Sequence, residues 1–580
     1  MPVSVEFFPM VGGLDVVTPH YQISPGKLIE CLNYECLPEG GYRRIDGYSL
    51  YDGTTEPEAV PGEGDIRGVW VFSGNVYAIR DQESNGGLFR ATGTGWVEVD
   101  LGYSLDFDAG VNDFVEGATV TGGTSAETAT IERVIFAGGT NGVGDSFGRL
   151  VISGATGPFT DNEDLIVGGN TIASAKGTQF ANTLPTGGKY TFVTGNFFGH
   201  DGLDRMYGAN GVGEAFEFDG TVFAPILTDS GGAYPRHIAV HKGHLMLGFS
   251  TGSITTSAPG EPLIFDAILG ASEIAVGDQI NLLASLPGGV LCVGCDDSIQ
   301  MLYGNDYLSW ELQPFTQHGA KPYSFGEIGG NYLVLDNRGL QNIRATQAFG
   351  DFEAISQSRA INPLLISSRT SLYPSAALVS KEKSQYRLFF GTEGYYFSYA
   401  GESFAGVTPV LYSDPVIVAA AGEDDLGKEI MFFGSEDGKV FRFDSAYKFN
   451  GEDIFASMRL AFNFEKTPTQ RKQYRKAVLD IKGERDSALI LVRSNFDFNS
   501  PIDPASDLYN VNGPQSSGGQ WSFDDWDEFL WDAVGYTTVD IGIAGIGRNM
   551  SMSFTSLGEE DGSHTIYGAA IHYSLRRLDR

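Results

Sequence analysis

The sequence predicts an all-β protein: a β-propeller of about six or seven blades, with a small inserted β-domain and a C-terminal β-sandwich. The 580 residues include 77 Gly, 39 Phe and 26 Tyr, and only 19% are charged. Glycine permits the positive-φ positions of tight hairpins, and aromatic residues suit the half-buried surface of a sheet. Periodicity typical of helices is hard to find anywhere in the chain.

A strand, a tight turn and a second strand recur along the sequence. Examples are VWVFSGNVYAI from Val69, IAVHKGHLMLGF from Ile238 and IMFFGSEDGKVFRFD from Ile430. Gly-Asn, Lys-Gly and Asp-Gly occupy the turns, as β-hairpins require. Successive hairpins mostly lie about 25 to 55 residues apart, which suits a four-stranded blade. These repeats predict that the propeller starts over residues 61–104 and continues over 181–450.

Three segments fall outside the repeats. Residues 1–60 are rich in turns and predict an extended N-terminal arm with the first strands. Residues 105–180, rich in Gly and Thr, interrupt the hairpins and predict a small β-domain inserted into a propeller loop, with an irregular blade as the alternative. Residues 451–580 contain long alternating strands and predict a β-sandwich-like domain.

The charge of the chain limits its partners. A formal net charge of −35 disfavours sequence-independent binding to nucleic acid and docking on an anionic membrane. The first residues carry no pattern of a secretory signal, and no run of about 18 apolar residues is present to span a bilayer. We therefore expect the protein to be made and folded in the cytoplasm and to have no membrane segment.

Candidate chemistry is sparse. Cys31, Cys36, Cys292 and Cys295 could in principle ligate zinc, but the spacing within a strand favours buried thiols. The acidic run from Asp106 lacks the Gly and Glu that an EF-hand loop needs at its sixth and twelfth positions. Acid pairs fall mostly at turns, and none of the 8 His lies in a nucleophile arrangement. We expect no catalytic, metal or cofactor site, and hence no enzyme.

Two local features are candidate docking sites. Positive charge is concentrated in KTPTQRKQYRKAVLDIKGER, and the residues singled out there are Arg471, Lys472, Arg475 and Lys476. They could dock an acidic partner or an acidic copy of the same protein, or could instead protect a solvated edge strand from aggregation. Trp526 and Trp531 could anchor a contact, or could cap the C-terminal domain.

The opening segment from Gly12 to Gly53 carries a resemblance to a known family. Its GG-x-D start, Pro-Gly turn, Asn-aromatic pair and GGYRRI-x-GY motif include Gly12, Gly13, Asp15, Tyr42, Arg43 and Arg44. This segment resembles the start of tail nozzle and packaged-DNA stabilization proteins of short-tailed bacteriophages. The resemblance is strong over this opening segment, and elsewhere it rests on the order of the parts.

The resemblance implies a structural virion protein located in the tail. Its copies would form a ring, commonly a homohexamer, below the portal and the head-to-tail adaptor. The ring would contact tail fibre or needle proteins, retain packaged double-stranded DNA and conduct it during ejection without sequence-specific binding. The alternative is a tail propeller that binds or depolymerises host-surface carbohydrate, since a propeller does not by itself define a function.

Overall fold

The protein is an assembly of β-sheets, as the sequence predicts. The computed structural model describes residues 3–140, 142–199, 202–228, 232–345, 352–367, 371–483, 489–499, 505–512, 536–558 and 562–576. Its N-terminal strands are β1 (Ser4–Pro9), β2 (Leu28–Leu32), β3 (Tyr34–Cys36), β4 (Tyr42–Arg44) and β5 (Gly47–Leu50). Three single helical turns occur among the described residues, at Ala267–Leu269, Arg359–Ile361 and Pro363–Ser367.

Blade 1 and the insertion follow the N-terminal strands. Blade 1 contains β6 (Glu63–Phe72), β7 (Asn75–Asp81), β8 (Gly86–Thr92) and β9 (Gly95–Glu98). The insertion contains β10 (Tyr103–Gly110), β11 (Thr119–Gly122), β12 (Thr128–Gly138), β13 (Ser146–Ser153), β14 (Asp164–Val167), β15 (Asn170–Ala175) and β16 (Phe180–Ala181). These seven strands form one sheet with a hydrophobic core of its own. The insertion is therefore a separate β-domain and not an irregular blade.

Six further blades complete the propeller. Blades 2 and 3 contain β17 (Thr191–Gly195), β18 (Arg205–Ala209), β19 (Ala215–Phe218) and β20 (Phe223–Ile226), then β21 (Pro235–His241), β22 (His244–Phe249), β23 (Ser253–Thr256) and β24 (Ser272–Ala275). Blades 4 and 5 contain β25 (Ile280–Leu286), β26 (Val290–Cys295), β27 (Ile299–Tyr303) and β28 (Glu311–Thr316), then β29 (Gly326–Ile328), β30 (Asn331–Asp336), β31 (Gly339–Ala345) and β32 (Phe352–Ser356). Blade 6 contains β33 (Ala376–Ser380), β34 (Gln385–Ala400) and β35 (Ser403–Val416), and blade 7 contains β36 (Val418–Glu423), β37 (Glu429–Gly434) and β38 (Val440–Ala446).

The propeller closes into a ring of seven blades. Strand β5 pairs with β38 and becomes the fourth strand of blade 7, so a segment from near the N-terminus completes the last blade. Each pair of neighbouring blades, including blades 7 and 1, shares a buried hydrophobic cluster. Because apolar surface is removed from water at every blade interface, closure is favoured all the way round. The count of seven lies within the range predicted from the hairpins.

The C-terminal sandwich is built from both ends of the chain. Its later strands are β39 (Ala456–Leu460), β40 (Lys472–Gly483), β41 (Leu489–Phe496), β42 (Tyr509–Asn512), β43 (Tyr536–Gly547), β44 (Met550–Ser556) and β45 (His564–Leu575). One sheet has the order β3-β4-β45-β40-β43, with β1 also paired to β45, and the other has the order β2-β39-β44-β41-β42. The strands of residues 1–60 are thus shared between this sandwich and blade 7, whereas the sequence predicted that residues 1–60 form an extended arm with the first strands.

Candidate functional site

The glycines of the opening motif allow the N-terminal segment to pack against blade 6. The Gly13 amide donates to the Tyr42 hydroxyl at 3.1 Å, and that hydroxyl donates to the Gly26 carbonyl at 2.8 Å. Gly13 has φ +65°, and a Cβ placed there would lie 2.5 Å from the Val407 backbone nitrogen. Gly12 also has positive φ, at +94°. Only glycine fits Gly13 without displacing the long hairpin of blade 6.

Asp15 organises the loop that follows these glycines. Its carboxylate accepts hydrogen bonds from the Val17 and Thr18 amides at 3.2 and 3.0 Å, and from Lys27 Nζ at 2.9 Å. Burial raises the pKa of Asp15, but the hydrogen bonds from Lys27 and Thr18 outweigh burial and hold the pKa below its ordinary value. The role visible in the structure is to fix a loop.

The two arginines of the motif belong to the junction between the propeller and the sandwich. Arg43 contacts the carboxylates of Glu35 at 3.0 Å and Asp46 at 2.9 Å. Arg44 is buried and donates to the Gly562 carbonyl at 2.9 Å. Arg43 and Arg44, which carry part of the resemblance, therefore hold the opening segment at this junction.

A network of buried charges extends from Glu35 into blades 6 and 7. Lys383 lies 3.2 Å from Glu35, and Arg387 lies 2.6 Å from Asp444. Burial raises the pKa of Asp444, but the nearby Arg387 and Lys383 charges outweigh it and lower the pKa to about 2. Breaking such a buried network by removing one partner is strongly destabilising, so it fixes the sandwich onto the propeller.

The basic cluster predicted as a docking site needs one correction. Lys472 is fully buried, where its ammonium donates to the carbonyls of Thr467 at 2.8 Å and Arg548 at 2.7 Å and lies 3.4 Å from the Glu465 carboxylate. Strand β40 places Lys472 on the same inward face as Tyr474, two residues later. A partner cannot reach it.

The other residues of the basic cluster lie nearer the surface. Arg475 is exposed, Arg471 is half-buried, and Lys476 is paired with Asp540 at 2.9 Å. Lys466, in the same sequence run, is 81% exposed and lies 2.9 Å from Glu6. Trp526 and Trp531 lie outside the described residues.

Apolar side chains accompany these cations on the outer face of the six-stranded sheet. Val5 and Phe7 of β1 are 54% and 59% exposed. Val5 lies opposite His572 in the sheet, and His572 lies opposite Lys476 on its other side, so the three residues form one row across the face. We call this surface, made by Val5, Phe7, Arg475, Lys476 and His572, the outer sheet face. The sequence prediction identified its cations but not Val5 and Phe7, which belong to a strand at the opposite end of the chain.

A cleft of about 660 Å³ separates the insertion from blades 2 and 3. Phe114 and Phe136 of the insertion face Leu263 and Ile268 across it, and Ile268 is 80% exposed. Its carboxylates are Asp113, Glu116, Glu261 and Asp266. Arg133 ties the insertion to blade 2 by ion pairs with Glu217 and Asp219. Aromatic faces beside carboxylates can bind a ligand that has both apolar faces and hydrogen-bond donors.

A narrow cavity lies on the propeller axis, where the first strands of the blades converge. Its volume is about 240 Å³, and every blade contributes to its wall through its first strand or the residues just before that strand. At ~30 Å³ per water molecule, this is room for about eight waters. A DNA duplex, whose major groove alone is about 12 Å wide, does not fit through it. Lys189 contributes the amine in this wall, and no sequence motif pointed to it.

The four cysteines lie apart as two pairs in different parts of the fold. Cys31 and Cys36 belong to β2 and β3 of the sandwich, and Cys292 and Cys295 belong to β26 of blade 4. Burial is the main cause that raises the pKa of Cys292 to about 12, so this thiol stays protonated. Among the residues that the structure describes, no group of three or more His, Cys, Asp or Glu is placed to hold a metal ion.

The fold defines a seven-bladed β-propeller protein with an inserted β-domain and a sandwich. No known family profile and no curated protein matches the chain. Among solved structures, it is similar to the WD40 domain of Toxoplasma gondii coronin (10% identity, 73% of this chain, 91% of that chain, TM-score 0.35). It is also similar to the C-terminal WD40 domain of Sif2 (10% identity, 69% of this chain, 99% of that chain, TM-score 0.31).

Helices in the described ranges are all too short to cross a lipid bilayer.

Proposed function

We propose that this protein is a ring-forming subunit of the tail nozzle of a short-tailed bacteriophage. The ring, commonly of six copies, would attach below the portal and adaptor, retain packaged DNA and conduct it during ejection. The observation that carries the proposal is the outer sheet face, which presents apolar side chains beside cations in a chain of net charge −35. A neighbouring acidic copy has the charge that such a surface would attract. The resemblance of residues 12–53 to nozzle proteins supports the same conclusion.

The size of the axial cavity restricts where DNA would pass. Because the cavity of one propeller, at about 240 Å³, is too small for a DNA duplex, the channel would have to lie between copies. Cations on the lumen wall would bind phosphates and make passage dependent on salt, whereas an acidic wall would not retain the duplex. The proposed partners are therefore further copies of the chain, the adaptor and the fibre or needle proteins, with DNA as a passing cargo in the virion tail.

Assembly can be tested by weighing the protein alone and with its adaptor ring by mass photometry. The expected result is a species near six copies on the adaptor. The double variant Phe7→Asp, Arg475→Glu should prevent this assembly while the monomer keeps its melting temperature. As a matched control, Leu426→Asp, Lys381→Glu changes an exposed apolar residue and an exposed cation on blades 6 and 7 and should assemble normally. Monomers that never associate, or normal assembly of the Phe7 variant, would contradict the proposal.

A second function, binding or depolymerising host-surface carbohydrate, is favoured by the cleft between the insertion and the propeller. Sugars offer apolar ring faces for Phe114 and Phe136 and hydroxyls for Asp113 and Glu116. A glycan array would detect binding, and a reducing-sugar assay on host polysaccharide would detect turnover. Binding that is lost in Phe114→Ala would favour this second function, and an array without signal would count against it.

A further inference from the structure

The axial cavity collects positive charge in a strongly acidic protein. Lys189, just before the first strand of blade 2, donates from Nζ to the Ile417 carbonyl at 2.9 Å and to the Ser375 carbonyl. These two carbonyls precede the first strands of blades 7 and 6. The Lys189 amine therefore reaches across the axis and lies 3.8 Å from the centre of the Tyr323 ring.

Two more cations lie against tyrosine rings, and one of these rings, Tyr323, belongs to the cavity wall. The Arg236 guanidinium lies 5.6 Å from the Tyr323 ring centre, and its Nε and Nη2 each lie 3.4 Å from the Tyr323 hydroxyl. The Lys321 amine lies 5.2 Å from the Tyr373 ring centre, and Lys321 is buried. Cation–π contacts stabilise these groups but do not neutralise their charge.

No acidic residue belongs to the described wall of the cavity. The wall residues, all within the described part of the chain, include no Asp or Glu, although the whole chain has 73 of these against 38 Lys and Arg. Asp296 lies close by, where it accepts from the Tyr373 hydroxyl at 3.4 Å and from Asn281 Nδ2 at 3.3 Å. Through Tyr373, the Asp296 carboxylate lies near Lys321 and offsets part of the positive charge there.

A buried histidine with an unused ring nitrogen also contributes to the wall. His237 is only 4% exposed, and its Nε2 has no hydrogen-bond partner among the described residues. A buried polar atom without a partner costs free energy unless a ligand or an ordered water satisfies it. In its Nε2–H tautomer this ring could donate one hydrogen bond into the cavity.

The protonation of Lys189 and His237 reflects mainly their burial. Burial is the main cause that lowers the pKa of Lys189 to about 7, and the Arg236 charge lowers it further in the same direction. The same two causes, in the same order, lower the pKa of His237 to about 3. A bound anion would oppose the effect of the Arg236 charge and, by its own negative charge, would raise the pKa of Lys189.

We propose that the axial cavity is a binding site for a small oxyanion of phosphate or carboxylate size, held by Lys189 and His237 in the field of Arg236. A volume of about 240 Å³ suits such an ion and excludes a nucleotide or a sugar chain. The bound anion would link blades 2 and 3 directly, and Lys189 would extend that link to the carbonyls of blades 6 and 7. The site is independent of ring assembly, because all of its groups belong to one propeller.

Calorimetry on the purified full chain tests the proposal with inorganic phosphate, sulfate and acetate as separate probes. At pH 7.5 and low salt, at least one probe should bind saturably with one ion per chain. Lys189→Met should weaken this binding at least tenfold, whereas Lys381→Met, which removes an exposed lysine of blade 6, should leave it unchanged. Comparing the three probes distinguishes a phosphate site from a carboxylate site.

Proton uptake provides a second readout that needs no variant. Lys189 is mostly neutral at pH 7.5, because its pKa is about 7, so an anion that raises this pKa must bring a proton onto the amine. The binding enthalpy should therefore change between two buffers that differ in ionisation enthalpy, by an amount that indicates uptake of up to one proton. The proposal is overturned if no probe binds saturably, if binding takes up no proton, or if folded Lys189→Met binds as tightly as the wild type.

Discussion

Replacing Lys472 with Met should destabilise the protein by about 3–5 kcal/mol, the range found when one partner of a buried charged group is removed. The side chain is fully buried, and its ammonium satisfies the carbonyls of Thr467, Gln470 and Arg548. Methionine has a similar length but no donor, so all three carbonyls would lose this donor in a dry environment.

The magnitude follows from these contacts. A hydrogen bond from a charged group contributes about 1.5–3 kcal/mol, and two of the three bonds are short, at 2.7 and 2.8 Å. The apolar stem of methionine recovers part of the loss by remaining buried. Burial also lowers the pKa of Lys472 despite the nearby Glu465, so the charged amine already costs free energy, and the net loss stays below the sum of the bonds.

Urea unfolding followed by circular dichroism and intrinsic fluorescence measures this loss. Lys476→Met is the matched control, because Lys476 lies on the same strand, is 42% exposed and is paired with the exposed Asp540. Removing an exposed pair should cost less than about 1 kcal/mol. Equal small losses for the two variants would refute the reasoning and would restore Lys472 as a surface residue available for docking.

Three further outcomes follow from the same structure. Gly13→Ala should lower the melting temperature more than Gly102→Ala, because both glycines have positive φ but only Gly13 has backbone atoms within 3 Å of the added Cβ. Burial raises the pKa of Glu465 to about 8, so the native state holds this proton more tightly than the unfolded state does, and stability should fall as the pH rises from about 5 through 8. Melting curves recorded from pH 5 to 9 should show this fall for the wild type and should lose it in Glu465→Gln. Asp444→Asn should cost about 3–5 kcal/mol in urea unfolding, since it removes the carboxylate that pairs with buried Arg387, and an unchanged midpoint would contradict the buried network.

The blades were predictable because each is a local structure. Hairpins such as the one containing Val69 and Tyr77 join strands only a few residues apart, and turn chemistry together with alternation specifies them. The number of blades could not be read from the hairpins, because three strands of blade 7 are local and the fourth, β5, comes from near the start of the chain. The sandwich was recognised as a sheet domain, but its pairings with β1, β2, β3 and β4 carry no local signal.

The candidate site was predicted less well, for reasons visible in single residues. The alternation of side chains along β40 places Lys472 on the same inward face as Tyr474. The prediction of a docking site rested on the many basic residues of this segment and not on their alternation, so Lys472 was expected to be exposed. Phe7 and Lys476 meet on one sheet face only through the pairing of β1 and β40 with β45. Lys189 belongs to no sequence motif. The residues around its amine come from blades whose strands lie far apart along the chain, so no local pattern predicts the cavity.

The pairing of β5 with β38 has a consequence for biosynthesis. Translation must pass Ala446 before the last blade can receive its outer strand, so an emerging chain carries an open, unclosed ring for most of its synthesis. Contacts between such distant segments slow folding, because the loop entropy is lost before the contacts form. Once formed, the pairing joins an early and a late segment of the chain into a single sheet, so peeling the chain from its start would have to remove β1 to β4 from the sandwich before it could open blade 7 at β5.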